Sequence, residues 1–205
     1  MNRIFVVLLA IGVASCGGLL ARAPLPERVS YMLELSADDY IGETEKRCKV
    51  LRLGTLSAAT GQLGTAMHYK EQAQRLQSFA YSSWIDAPVD MIEPQLRRAL
   101  NESGLFEAVV SAESPVRSDL SLTISQLSLL LELDRSPSAF VLEADLELAD
   151  PIAFELIASG RLSIAEETAA NPQDGAGAAN RAVARFTREL ITFLRDATEA
   201  GDGCE

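Results

Sequence analysis

The sequence predicts an α+β fold in two layers, a largely antiparallel sheet with two main helices packed on one face. Three observations carry that expectation. Segments in which apolar and polar residues alternate recur between positions 28 and 167, the period of half-buried strands. Two stretches, 86–104 and one around 183–194, instead repeat every three to four residues, as amphipathic helices do. No repeat of fixed length and no second domain interrupts the series, so laying the helices on one side of the sheet is the economical arrangement.

In "RVSYMLEL", Val29, Tyr31, Leu33 and Leu35 alternate with Ser30, Met32 and Glu34, and "CKVLRLGTL" (48–56) continues in the same manner. "GTAMHYKE" and "QRLQSFAYSSW" are two further short strands, with "KEQAQ" between them as a hairpin turn or a helical one. In "DAPVDMIEPQLRRALNESG", Val89, Ile92, Leu96, Ala99, Leu100 and Ser103 form one apolar helical face, with Glu93 and Arg97 as an i,i+4 pair outside it. Pro94 fits a helix only in its first turn, which sets the expected start near Asp90, and Gly104 is a left-handed cap. "LFEAVVSA", "DLSLTISQLSLLLELD", "AFVLEADLELAD" and "FELIASGRLSIAEE" are strand-like. In the second of these, Leu120, Leu122 and Ile124 are out of phase with Leu127, Leu129, Leu131 and Leu133, which predicts a bulge near Gln126. "NPQDGAGAAN" breaks the pattern before the final helix, which carries Val183, Phe186, Leu190, Ile191 and Leu194.

The amino-terminal end follows other rules. An apolar run from Ile4 to Ala14 after Arg3 has the layout of a secretory signal peptide and is too short to span a bilayer, which takes about 20 apolar residues. Val13-Ala14-Ser15-Cys16 resembles the lipobox of bacterial lipoprotein precursors. That resemblance implies an S-diacylglycerol and an N-acyl chain on Cys16, and Gly17 after it implies export to the outer membrane. Several acyl chains hold a protein firmly to a membrane where one does not. An ordinary signal peptide cut after Ala23, discarding Cys16, is the alternative. The expected organisation is a signal peptide over 1–15, a lipidated tether over 16–27, a domain over 28–197 and a tail over 198–205.

A hydrophobic content of 48% with 23% charged residues supports a packed core. The formal net charge of −11 argues against a nucleic-acid partner and against electrostatic adhesion to anionic lipid. With Cys16 acylated, Cys48 and Cys204 remain as a pair in an oxidising compartment, where a disulfide would tie down the tail "GDGCE" and add at most roughly 5 kcal/mol by loop entropy. Two free thiols are the other outcome.

Candidate chemistry is sparse. His68, the only histidine, has no G-x-S-x-G or comparable nucleophile signature to serve, so no catalytic residue is assigned and a surface or partly packed role is expected. One histidine and two cysteines leave no metal-ligand spacing, so no metal is expected. "DGAGAAN" lacks the lysine of a phosphate loop and is taken as a flexible approach to the last helix, and "LEADLELAD" as the solvated side of a strand. Phe79, Tyr81 and Trp84, within six positions, are either core where strand meets helix or anchors of a protein interface.

The order "AMHYK", "FAYSSW", "APVDMIEPQLRRAL", "ESGLFEAVV", a long apolar strand after "SDL", and a closing helix opened by "GAANRAV", all behind a lipobox, resembles the ABC-type transport auxiliary lipoproteins (PqiC-like), accessory outer-membrane lipoproteins of MCE-type lipid transport systems. It runs from Tyr31 to about Leu194, with Trp84, Pro88, Met91, Leu105, Phe106 and Asn180 at matching positions. The resemblance implies a non-enzymatic component at the periplasmic face of the outer membrane. It would dock the MCE-domain substrate-binding protein of an ABC transporter and assemble as a homo-oligomeric ring, with no cofactor beyond the lipid on Cys16. A lipid-carrying shuttle with its own apolar cavity, or an outer-membrane assembly lipoprotein, is the alternative function.

Overall fold

The computed structural model describes residues 26–36, 48–72 and 74–199. In chain order the elements are β1 (Val29–Tyr31), β2 (Val50–Leu53), β3 (Ala66–Gln72), β4 (Arg75–Trp84), α1 (Pro88–Glu102), β5 (Ala108–Val110), β6 (Leu120–Glu132), β7 (Ala139–Asp150), β8 (Glu155–Glu167) and α2 (Pro172–Glu199). The fold is α+β, as expected, and the strands form one eight-stranded sheet.

Strand β6 is its axis. One edge pairs antiparallel with β7 from Ser121↔Ala149 to Glu132↔Ala139, and β7 pairs antiparallel with β8. The other edge is shared: β2 runs parallel to the first residues of β6 and carries β5, while β3 runs parallel to its last residues and carries β4, then β1. Most paired residues lie in the antiparallel ladders β3–β4, β6–β7 and β7–β8; the parallel pairings are each two or three residues long. Where neither β2 nor β3 covers β6, a bridge Ala58↔Leu127 and the side chain of Gln62 stand in. Gln62 accepts from Leu129 N–H at 2.8 Å, as a neighbouring strand's carbonyl would, and donates to the Ser128 hydroxyl at 2.8 Å.

The phase change in β6 is a bulge at the expected place. Gln126 takes φ 53° and the register with β7 slips between Ser125 and Ser128. The slip turns Leu127, Leu129 and Leu131 to the same buried side as Leu120, Leu122 and Ile124, so both halves of one strand serve one core. Phe140, Leu142, Ala144, Leu146 and Leu148 of β7 extend that face, the leucines and the phenylalanine each contributing up to about 1.5–3 kcal/mol by leaving water.

Both helices close over this core. Helix α1 buries Met91, Ile92, Leu96, Ala99 and Leu100 and ends on Gly104 at φ 71°. Ser103 lies on the apolar face without penalty because its hydroxyl donates to Leu100 O at 2.8 Å. The helix begins at Pro88 rather than near Asp90, so Pro94 sits in its second turn and leaves Asp90 O without its i+4 donor. Asp90 is exposed, and water can take that carbonyl. Among the described residues the i,i+4 ion pair of α1 is Arg98–Glu102 at 2.9 Å, in place of Glu93 and Arg97.

Helix α2 packs on β7 and β8, and it starts earlier than the sequence pattern indicates. "DGAGAAN" is helical: Asn171 caps the first turn, accepting from Asp174 N–H at 2.9 Å and donating to Asp174 Oδ2 at 2.7 Å. The small residues are there for proximity. Ala176, Ala178, Ala179 and Ala182 are buried, and a methyl placed on Gly175 would touch Leu131 Cδ2 at 3.4 Å.

Gln126 in the left-handed region should tolerate glycine and reject a β-branched residue. Gln126→Val is expected to cost about 1–2 kcal/mol in urea unfolding and Gln126→Gly to be near neutral.

Candidate interaction surfaces

The segment after β1 is held by side chains from both helices. Tyr31 O accepts from Ile85 N–H at 2.8 Å, continuing the β1–β4 pairing by one residue. Beyond it, Gln95 of α1 accepts from Leu35 N–H at 2.5 Å and donates to Leu33 O at 2.9 Å, while Asn180 of α2 accepts from Glu34 N–H at 2.9 Å. Asn180, singled out in the sequence as a family-like position, thus joins α2 to the segment after β1. A cavity of about 270 Å³ opens here, lined by Met32, Leu33, Glu34, Leu35, Gln95 and Arg98. It is small and partly charged, below the roughly 300–1,000 Å³ of pockets that enclose drug-sized ligands.

The aromatic trio is divided by the structure. Trp84 is 2% exposed and meets Phe140 edge-on, centroids 6.1 Å apart, so it belongs to the core and offers nothing to a partner. Phe79 is half-buried against Tyr69 at 4.5 Å. Tyr81 is exposed. The cause is an irregularity in β4: five steps along it, Ser78 to Ser83, face only two along β3, from His68 back to Ala66. Regular alternation would pair Phe79 with Tyr81 and set Trp84 opposite; the extra residues bring Phe79 and Trp84 to the inner side and leave Tyr81 outside.

His68 lies half-buried in β3, and its two ring nitrogens make no hydrogen bond among the described residues. Cys48 is exposed at the start of the segment that leads into β2. Cys16 and Cys204, with the expected signal peptide, nearly all of the tether and most of the tail, lie outside the described residues. No three His, Cys, Asp or Glu side chains converge as a metal-ligand set among the described residues.

The acidic stripe of β7 faces away from the core and is partly neutralised from β8. Arg161 forks onto Asp145 at 2.6 and 3.0 Å, and Ser163 donates to Glu143 at 2.8 Å. The Arg161 hydrogen bond holds the Asp145 carboxyl below its ordinary range.

The turn between β7 and β8 is a feature that sequence reasoning missed. Asp150 closes the ladder opposite Glu155, and its Oδ1 accepts from Ile152 N–H at 2.7 Å and Ala153 N–H at 2.9 Å. These two bonds hold its carboxyl below the usual range. The turn and the start of β8 present Ile152, Phe154, Leu156 and Ile157 to solvent, with Phe154 92% exposed at φ 60°. The signal in the sequence was "DPIAFELI", an Asp-Pro turn followed by more apolar residues than one core-facing side of a strand can bury.

No family model and no curated protein matches the chain. Solved structures do share its fold. A Xanthomonas campestris protein described under the family model DUF330 superposes with a TM-score of 0.74 at 20% identity, over 84% of this chain and 97% of that one. An uncharacterized protein gives 0.60 at 12% identity over 82% and 99%, and a hypothetical protein from Chlamydia trachomatis 0.51 at 9% over 76% and 100%. At these identities the similarity is one of fold.

Gln95→Ala would strand Leu35 N–H and Leu33 O. It should cost about 1–3 kcal/mol in denaturant unfolding and speed amide exchange at Leu35. Because the Asp150 carboxyl is held low, its contribution is complete above the ordinary value of about 4 and is lost as pH falls through its own lower value. Amide exchange corrected for intrinsic rates should show Ile152 and Ala153 losing protection only below that ordinary value.

Proposed function

We propose that this chain is a non-enzymatic accessory lipoprotein of an MCE-type ABC transport system that moves lipids between inner and outer membranes. Lipid on Cys16 fastens it to the periplasmic face of the outer membrane, where it docks the MCE-domain substrate-binding protein. The support is that the residues carrying the sequence resemblance sit at the joints of the fold. Trp84 packs on Phe140, Pro88 opens α1, Met91, Leu105 and Phe106 enter the core, and Asn180 pins Glu34. A catalytic role is not part of the proposal, and the transporter's ATPase supplies the energy.

A homo-oligomeric ring is proposed with it. The β1–β4 edge offers a contact for a second copy: Val29 pairs beside Ser82, next to exposed Tyr81, and Met32 and Ile85 are exposed just beyond Tyr31 and Trp84. A Cys48–Cys204 disulfide would fix the tail to the start of the domain.

Radiolabelled fatty acid should enter the wild-type protein and be absent from Cys16→Ser, which should also accumulate unprocessed. Labelling that persists in Cys16→Ser would sink the anchoring. Detergent-solubilised protein should have the mass of a multimer and co-isolate with the MCE-domain protein; monomer alone across a wide concentration range would refute the ring. Intact mass after alkylation without reductant should show Cys48 and Cys204 unmodified, and alkylation of both would dismiss the bond.

A further inference from the structure

We propose that the β7–β8 turn, residues 151–154, together with Leu156 and Ile157 at the start of β8, is a second membrane contact that dips into a zwitterionic lipid surface. The inference rests on the reading of the chain as lipid-anchored and names the part of the folded domain that touches the bilayer. Apolar side chains exposed singly are ordinary on a protein surface; four large ones within six positions, spanning a turn and the first residues of the strand after it, are not.

Phe154 makes the case sharper. A turn residue at φ 60° is the place for glycine or asparagine, and a bulky aromatic there is strained. Strain held at a position where the ring is 92% exposed stabilises nothing inside the domain, so its use lies outside it.

The chemistry of the turn suits lipid. A bilayer interior offers no hydrogen bonds to backbone donors, and three positions of the turn need none from it: Pro151 has no N–H, while Ile152 and Ala153 give theirs to Asp150. Asp150 and Glu155 flank it with no basic residue between them, which limits the depth of entry and disfavours anionic headgroups.

The dimensions also agree. The turn lies at the end of the sheet where β2, β5 and β6 begin, because Ala149 pairs with Ser121 and Leu51 with Leu120. The start of β1 falls near the level of Leu129, since Val29 pairs with Ser82, Ser83 with Ala66, and Tyr69 with Leu131. Nine residues of β6 separate the two levels, about 30 Å at the usual strand rise. The ten residue-to-residue steps from Cys16 to Pro26 reach at most about 35 Å, enough for the acylated end and the turn to share one leaflet.

The test uses the full acylated chain in vesicles of phosphatidylethanolamine and phosphatidylcholine containing a nitroxide-labelled lipid quencher. Wild type carries only Trp84, which is buried and should be almost unquenched. Phe154→Trp should lose about half of its added emission, and Tyr81→Trp, exposed near the opposite edge of the sheet, almost none. Replacing a third of the lipid with phosphatidylglycerol should weaken quenching at position 154 several-fold. Acylated protein whose position-154 emission is unquenched would overturn the inference and leave the anchoring intact. Intact mass showing no acyl chain on Cys16 would overturn the anchoring. Saturating vesicles would then still decide the turn, quenching of Phe154→Trp supporting it and its absence refuting it. If Phe154→Asp instead dissociates the protein into smaller assemblies in detergent, the turn is a protein contact and the inference is wrong.

Discussion

A left-handed residue in the middle of a long strand is where this fold is decided. Without the slip at Gln126, the leucines at 127, 129 and 131 would point to the opposite side from Leu120, Leu122 and Ile124. One half of β6 would then face water. Because β7 pairs along the whole of β6, and β2 and β3 divide its other edge, the position of nearly every strand follows from that single conformation.

Where a segment has no strand beside it to pair with, side-chain amides take its backbone groups. Gln62 serves Leu129 on β6, Gln95 serves Leu33 and Leu35, and Asn180 serves Glu34. Asn101 does the same for β5, accepting from Val109 N–H at 2.9 Å and donating to Val109 O at 3.2 Å. An amide carries the same donor and acceptor as a peptide group, which is why these positions hold Gln and Asn rather than charged residues. The arrangement ties the helices to the sheet by polar bonds as well as by packing.

Much of this was legible in the sequence. Periodicity located the strands and both helices, and the broken phase of "DLSLTISQLSLLLELD" marked the bulge, because a strand's two faces are fixed by alternation alone. What escaped had tertiary causes. Pro94 is tolerated in a second turn because the carbonyl it leaves behind lies on an exposed residue. "DGAGAAN" is helical because β6 and β7 require small residues against them, whatever the helix propensity of glycine. The aromatic trio could not be sorted by spacing, since an irregular β4 sends Trp84 inward and leaves Tyr81 outside. The apolar turn after Asp150 was taken for the opening of a strand, a reading that periodicity cannot distinguish from a surface feature. Connectivity across the sheet, with four parallel pairings joined through β6, left no local trace at all.

The alanine-lined side of α2 has a consequence for how such a chain can vary. Where a helix seats Ala178, Ala179 and Ala182 fully inside, size is the controlling quantity and polarity comes second. Drift along that seam is confined to exchanges among the smallest amino acids, while the outward side of the same helix is free to change its charges. Two adjacent stripes of one helix are therefore expected to evolve at different speeds. A comparison of distant homologues should find the slow stripe even where overall identity has faded.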